Sequence, residues 1–490
     1  MIKTTATKYS IITATTIAIL ACGTARAQIH TSVPRLVVNI TIDQLRSDLL
    51  SDYKRFYKEN GFKEILRNGI VFTDARLNFA SADLASSISS INTGTSPRYN
   101  GIIAEKWFDR NNMKIVSCVE DNNFDGISTL ERNSAENVQT TTISDELKIA
   151  NKKSVVISIA EDPVSAIIPA GHNADGAYWI DTKERKWCTT SYYQKEDRRL
   201  ETYNSSNRIK TGDVKSNTNV TDFAIHCLNE YSLGADNTPD MLFVTYKANR
   251  PESKSTDKQF IYTDLDNNIG RLINTISSKV GLSNVLFVIN STGYYNEART
   301  AEEKKLRIPG GTFYINRASN LLNLYLGALY GNDKYIEGYS RDQIYFNNKL
   351  FDKKRLNTNQ ICELSKIFIR QCQGVGNCLS ANDILSFYTS ESETVRNSYN
   401  LRNSGDLLVE VLPGWNIANE DNGETYIQGA NCQNFPIIFY GFGLKGEVVT
   451  TPVCADRIAP TISKTIRIRA PNASKGEPLK KKNNVQNNNK

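Results

Sequence analysis

Residues 36–50 read LVVNITIDQLRSDLL. The β-branched and apolar run from Leu36 to Ile42 predicts a buried strand, and the strand delivers an acid, Asp43, at its carboxyl end. Similar runs recur along the chain: GIVFTDARL (69–77), SVVISIA (154–160), DMLFVTYKA (240–248), NVLFVINS (284–291) and FPIIFYGF (435–442). They alternate with longer stretches of helical pattern. That alternation predicts an α/β fold, with a central, mainly parallel sheet and helices on both faces. In such sheets the chemistry sits at the carboxyl ends of strands, and Asp43, the stretch after Tyr246, and Ser291-Thr292-Gly293 all fall there.

With 490 residues, 40% hydrophobic and 23% charged, the chain can bury one large core with a sizeable insertion, or two domains. Residues 1–27 place Lys3 and Lys8 before IITATTIAILAC (11–22) and end in Ala25-Arg26-Ala27. This reads as a signal peptide cut before Gln28, and export to the periplasm or cell envelope follows. Lipoprotein attachment through Cys22 is the second choice. The apolar run is shorter than the roughly 20 residues of a membrane helix, and no later segment qualifies, so no transmembrane segment is expected in the mature chain. The formal charge of +7 divides into +3 on residues 1–27, +4 on residues 471–490 and zero between. The basic balance therefore belongs to a leader and a tail, and nucleic acid is not an expected partner. The tail 471–490 is expected to be disordered. Eight cysteines remain after Gln28, an even number that favours disulfides in an exported protein, and Cys372 and Cys378 are spaced to close a small loop. Insertions are expected near 183–220, where polar sequence lacks periodicity, and near 297–400, where patterns such as ASNLLNLYLGALYG (318–331) are helical.

Taken in order, VNITIDQLRSDLL (38–50), INTGTSPRYNGIIAEKWFD (91–109), TTTISDELK (140–148), IIPAGHNADGAYWID (167–181), LFVINSTG (286–293), FPIIFYGF and RIAPTISKTIRIRAPNASKGEPL (457–479) resemble the alkaline phosphatase superfamily. The branch they resemble is the type I phosphodiesterase/nucleotide pyrophosphatase group, in particular the PafA-type periplasmic alkaline phosphatases. The resemblance runs over nearly the whole chain after residue 35. It implies an alkaline-phosphatase-like α/β domain over 28–470 with inserted cap segments, a Thr or Ser nucleophile at a helix start, and two zinc ions that stabilise phosphoryl charge.

Carried over position by position, the resemblance finds most of that equipment replaced. Counting back from Thr93-Gly94-Thr95, Leu84 stands at the nucleophile position, and leucine can neither attack phosphorus nor bind zinc. Ser81, Ser86 and Ser87 are the oxygens that a shifted register would offer. Of the metal-ligand positions Asp43, Arg250, Lys254, Ser291, Thr292 and Asn434, only Asp43 is an acid able to ligate, and one carboxylate cannot hold a zinc pair. The plain alternative for Asp43 is a cap on a helix starting at Gln44. At the substrate-contact positions stand Glu105, Asp162 and Val164, an acidic and aliphatic set that repels a phosphate dianion. The three histidines, His30, His172 and His226, do not form a ligand set; His172 reads as a hydrogen-bonded framework residue. In the emptied pocket, Arg250 or Lys254 is expected to pair with Asp43 and make a metal-free polar plug.

The sequence therefore reads as a degenerate, non-catalytic member of the superfamily, with no catalytic residue and no cofactor, acting as a binding or scaffold protein for an envelope protein or ligand. The alternative is a zinc-dependent phosphomonoesterase or phosphodiesterase with relocated ligands. A third version makes the insertions the interface of an envelope assembly.

Overall fold

The computed structural model describes residues 33–209, 215–249, 258–295, 309–386, 390–428 and 434–480. All six runs quoted above form strands of one eleven-stranded sheet. From one edge the order is Glu447–Val449, Ile70–Arg76, Phe435–Gly441, Val285–Ser291, Leu36–Asp43, Asp240–Lys247, Val156–Ile159, Gly176–Asp181, Lys186–Thr190 and Gly126–Ile127, with Val453–Cys454 beside Ile70–Arg76. The five strands from Val285–Ser291 to Gly176–Asp181 are parallel to one another. The Phe435 strand is antiparallel to both neighbours. The fold is thus α/β and mostly parallel, with Leu36–Asp43 at its centre.

Strand geometry sends alternate residues to opposite faces, and here each face has its own core. Leu36, Val38, Ile40 and Ile42 pack on one side with Phe62, Phe223 and Ile269. Val37 points the other way, towards Ile88, Ile91, Ile167 and Ile458. The same face of the central strand carries Asn39, Thr41 and Asp43. Their polarity is satisfied inside the protein, as burial demands. The Asn39 amide donates to Asn92 Oδ1 (3.3 Å), while Asn39 Oδ1 accepts from Asn290 (2.7 Å). Thr41 donates to Asn290 Oδ1 (3.0 Å). A polar line therefore runs up the sheet and ends at Asp43.

Above this line lies the helix Leu84–Thr93, all ten residues of which are buried. Asp83 caps its start through Ser86, and Gly94 ends it at φ +65°, a left-handed conformation that glycine adopts at low cost. Residues 311–428 add a smaller assembly. It contains a three-stranded sheet (Gly311–Tyr314, Trp415–Asn419, Glu424–Tyr426) and a four-stranded sheet (Ile336–Ser340, Gln343–Phe346, Leu407–Val411, Val375–Ser380). Two helices, Ile315–Tyr330 and Thr358–Arg370, help bury its own apolar core.

Several expectations are corrected. Within 183–220, expected as an insertion, Lys186–Thr190 is instead a strand of the main sheet, and Trp187 and Leu200 are buried beside Phe223, on which Trp187 stacks at 4.2 Å. The aromatic residues were too sparse to register as a period. The second insertion continues past 400, to Tyr426. Cys372 and Cys378 are free, as are Cys118, Cys188, Cys227, Cys362 and Cys454. Cys378 lies on a strand with its thiol in the small core, while Cys372 ends a helix turn where its thiol faces the Phe368 carbonyl. The chain from 471 to 480 is not a loose tail. Arg457 donates to the carbonyls of Glu477 and Pro478, and the Leu479 amide donates to Thr461 Oγ1. Residues 1–32, with Cys22 and His30, and residues 481–490 lie outside the described residues, as does Cys432.

Candidate functional site

Asp43 does not cap a helix. Gln44 takes a positive φ of 58°, and the next helix begins only at Ser47. The turn leaves the Asp43 carboxylate, 4% exposed, at the end of the sheet. Thr292 Oγ1 donates to Asp43 Oδ1 (2.9 Å) and itself accepts from the Gln44 backbone amide (2.9 Å). The Gln44 side chain reaches Asp43 and the Tyr294 hydroxyl (3.5 Å each), and accepts from Asn249 (2.9 Å). Burial pushes the Asp43 carboxyl up from its usual range, against the pull of the Lys247 ammonium and of hydrogen bonds from Thr292 and Tyr294. Ser291 Oγ donates to the Leu45 carbonyl (3.1 Å), as does the Tyr295 hydroxyl (2.7 Å). The Ser291 and Tyr295 hydroxyls therefore hold the turn after Asp43.

The mouth of the Leu84 helix faces the same region. Leu84 is the first helical residue, only 6% exposed, and packs in the main core. Ser86 is bound to the Asp83 cap, and Ser87 is buried. Ser81, at φ +39°, donates to Asp342 (3.1 Å). Ser81 and Ser86 are thus hydrogen-bonded, while the Ser87 hydroxyl is enclosed without a hydrogen-bond partner among the described residues. Asp83 Oδ2 accepts from the Glu105 backbone amide and from Arg341 Nη1, both at 2.7 Å. Arg341 comes from the turn after Ile336–Ser340, at φ +54°, and its guanidinium lies 4.1 Å over the Tyr426 ring. Burial, reinforced by the charges of Asp83, Asp162 and Asp43, pushes the Glu105 carboxyl up to about 8.

Asp162 caps the helix Pro163–Ala170 by accepting from the Ser165 amide (2.9 Å), and Val164 is buried in that helix. Lys247 Nζ lies 3.5 Å from both Glu161 and Asp162. Among the described residues, the cation that acts most on Asp43 is Lys247, which sequence reading did not single out. Arg250 and Lys254, the expected partners of Asp43, lie outside the described residues. Asn434 is exposed and offers its backbone carbonyl to Ser47. His172 is a framework residue: Nδ1 bonds to Asp145 (2.9 Å) and Nε2 to the Val138 carbonyl (3.0 Å). The His226 ring lies tilted against Tyr203 at 4.6 Å, on the far side of the sheet with Phe223.

Zinc of the kind the resemblance implies does not fit these residues. Two zinc ions need about four N, O or S donors each, and among the described residues no three His, Cys, Asp or Glu side chains converge as ligands. Asp43 already accepts from Thr292, and its neighbours offer hydroxyls and amides. What does open here is a cleft of about 240 Å³ between the Leu84 helix mouth and the small assembly. Its walls include Asp83, Glu105, Arg341, Asn419, Thr425 and Tyr426. Asp83, the Asp83-x-x-Ser86 cap included, was readable as a helix-start signature, but Arg341 was not, because nothing local links it to residue 83.

The sequence pattern described as Type I phosphodiesterase / nucleotide pyrophosphatase matches residues 37–433. The chain is 25% identical to alkaline phosphatase PafA of Elizabethkingia meningoseptica, over 93% of this chain and 96% of that protein. It is 24% identical to alkaline phosphatase PhoV of Synechococcus elongatus, over 94% and 98% of the two chains. The crystal structure of wild-type PafA superposes with a TM-score of 0.82 at 23% identity, covering 91% of this chain and 98% of that one. At that identity the superposition speaks for the fold.

Proposed function

This chain belongs to the type I phosphodiesterase/nucleotide pyrophosphatase family, and from that premise we propose that it is a member that binds or scaffolds at the cell envelope rather than hydrolysing phosphate esters. The observation that carries the reading is the start of the Leu84 helix. A buried leucine occupies the position where the family resemblance puts the nucleophile, and the preceding carboxylate is tied to Arg341. A phosphate dianion entering the cleft meets Asp83 and Glu105, and the cations described in its walls, Arg341 and Lys106, are already paired with Asp83 and Glu424. Fold and chemistry are separable, so the alkaline-phosphatase-like architecture alone does not supply activity. Envelope placement rests on the leader-like residues 1–27.

Relatives named as alkaline phosphatases favour the second reading, a metal-dependent phosphomonoesterase or phosphodiesterase with relocated ligands. One experiment separates the two. Purified mature protein is assayed for metal by mass spectrometry, and for turnover of para-nitrophenyl phosphate and bis-para-nitrophenyl phosphate with added zinc. The expected result is no bound zinc and no turnover from a folded sample. About two zinc ions per chain with chelator-sensitive turnover would replace the binding reading with the hydrolase one.

A further inference from the structure

We infer that the cleft between the mouth of the Leu84 helix and the strands Trp415–Asn419 and Glu424–Tyr426 binds a small organic cation, a primary ammonium group on a short apolar body. The inference deepens the non-catalytic reading and rests on it.

Charge accounting around the cavity carries the argument. Asp83 is answered by Arg341 at 2.7 Å, and Lys106 is answered by Glu424 at 2.7 Å. Lys247, behind the cleft, is shared between Glu161 and Asp162. Glu105 stands apart. Its backbone amide binds Asp83, but among the described residues no side chain donates to its carboxyl, which lines the cavity. The charges of Asp83, Asp162 and Asp43 add to the burial of its carboxyl, and Arg341 opposes them. The cavity is therefore built with one free acid and a surplus of negative potential. A phosphate is repelled there, while a cation supplies the donor that Glu105 lacks.

The remaining walls select the body of the ligand. Ile315 and Ile417 give an apolar side, and Asn419 and Thr425 a polar rim. About 240 Å³ equals the volume of roughly eight waters at about 30 Å³ each, room for a short aliphatic chain. The Glu105 carboxyl is held up to about 8, so ammonium binding releases its proton to solvent; the resulting hydrogen bond between two charged groups is about twice as strong as the neutral one that a hydroxyl would make.

The test is titration calorimetry of the full mature protein with n-butylammonium chloride, 1-butanol and inorganic phosphate. Saturable binding of the amine, with the alcohol and phosphate at least tenfold weaker, is expected. Glu105→Gln, which keeps the shape and removes the charge, should weaken the amine at least tenfold. Asn419→Leu, on the opposite wall, should block it by filling the cleft and serves as a second variant if the first fails to fold. Equal binding of alcohol and amine, preferential phosphate binding, or amine binding indifferent to both variants would overturn the inference. No amine binding in a sample that also lacks zinc and turnover sinks this inference alone, whereas zinc-dependent turnover sinks the reading beneath it.

Discussion

The carboxylate of Asp83 accepts from the Ser86 amide and hydroxyl, from the Glu105 amide and from Arg341. It therefore closes the helix start, fixes the strand that follows residue 105, and fastens the small assembly to the large one. Because both partners of the Asp83–Arg341 pair are mostly buried, removing one leaves the other uncompensated. Asp83→Ala is expected to cost about 3–5 kcal/mol by that mechanism, read from urea denaturation. Arg341→Ala should cost a similar amount, and the double variant clearly less than the two together. Additive losses would mean that the pair is not coupled. Half of this site was legible in the chain. Leu84 was placed by counting back from Thr93-Gly94-Thr95, Asp43 by the strand that ends in it and Glu105 by the family resemblance, and the Asp83–Ser86 spacing is a local signal. Thr292 was seen as a lost ligand but not as the donor to Asp43, and Arg341 and Lys247 were not seen at all. Their partners lie hundreds of positions or a sheet register away, and no periodicity records such a meeting.

Among the elements, the helix Ile143–Ala150 shows how a motif survives as framework. Thr142 and Asp145 form its capping box. Asp145 also accepts from the His172 and Asn173 amides and from the His172 ring, so the helix is tied to the turn that ends Pro163–Ala170. Burial acts to lower the His172 pKa, but the Asp145 hydrogen bond and charge outweigh it and hold the imidazole above its usual 6.5. Burial acts to raise Asp145, and His172 with the Thr142 bonds brings it below its usual 3.8. The raised histidine contributes stability that is complete below about pH 6.5 and fades as pH climbs through its folded value. The lowered acid contributes stability present above pH 3.8 and lost as pH falls through its own folded value. The stability difference between the wild type and His172→Gln should accordingly shrink from pH 6 to pH 9 in urea unfolding; a difference flat across that range would deny the ion pair. Strand prediction succeeded because burial on both faces leaves long apolar runs. It failed at 186–190, where the strand KWCTT, second from the edge, buries mixed residues, and it did not tell which thiols meet.

For the molecule as a whole, the last described segment is structural. Arg457 holds the carbonyls of Glu477 and Pro478, and Lys475 sits 4.2 Å over the Tyr99 ring beside the turn that follows the Leu84 helix. A chain ending at Ala470 should melt several degrees lower than one ending at Lys480, by differential scanning calorimetry, because these bonds and the packing of Leu479 against the main core go with it. Equal melting temperatures would show that segment to be ornamental. The sheet order has a further consequence, in time rather than space. The central strand Leu36–Asp43 leaves the ribosome early, but its neighbours begin at Asp240 and Val285. At about 5–20 residues per second, some 200 to 250 residues must be made before either flank exists, a wait on the order of 10–50 s. During that wait the central strand of the sheet has both edges unpaired, which invites aggregation. A nascent chain of this topology needs a holding factor until residue 291 has emerged, for the middle of its sheet is made first and completed last.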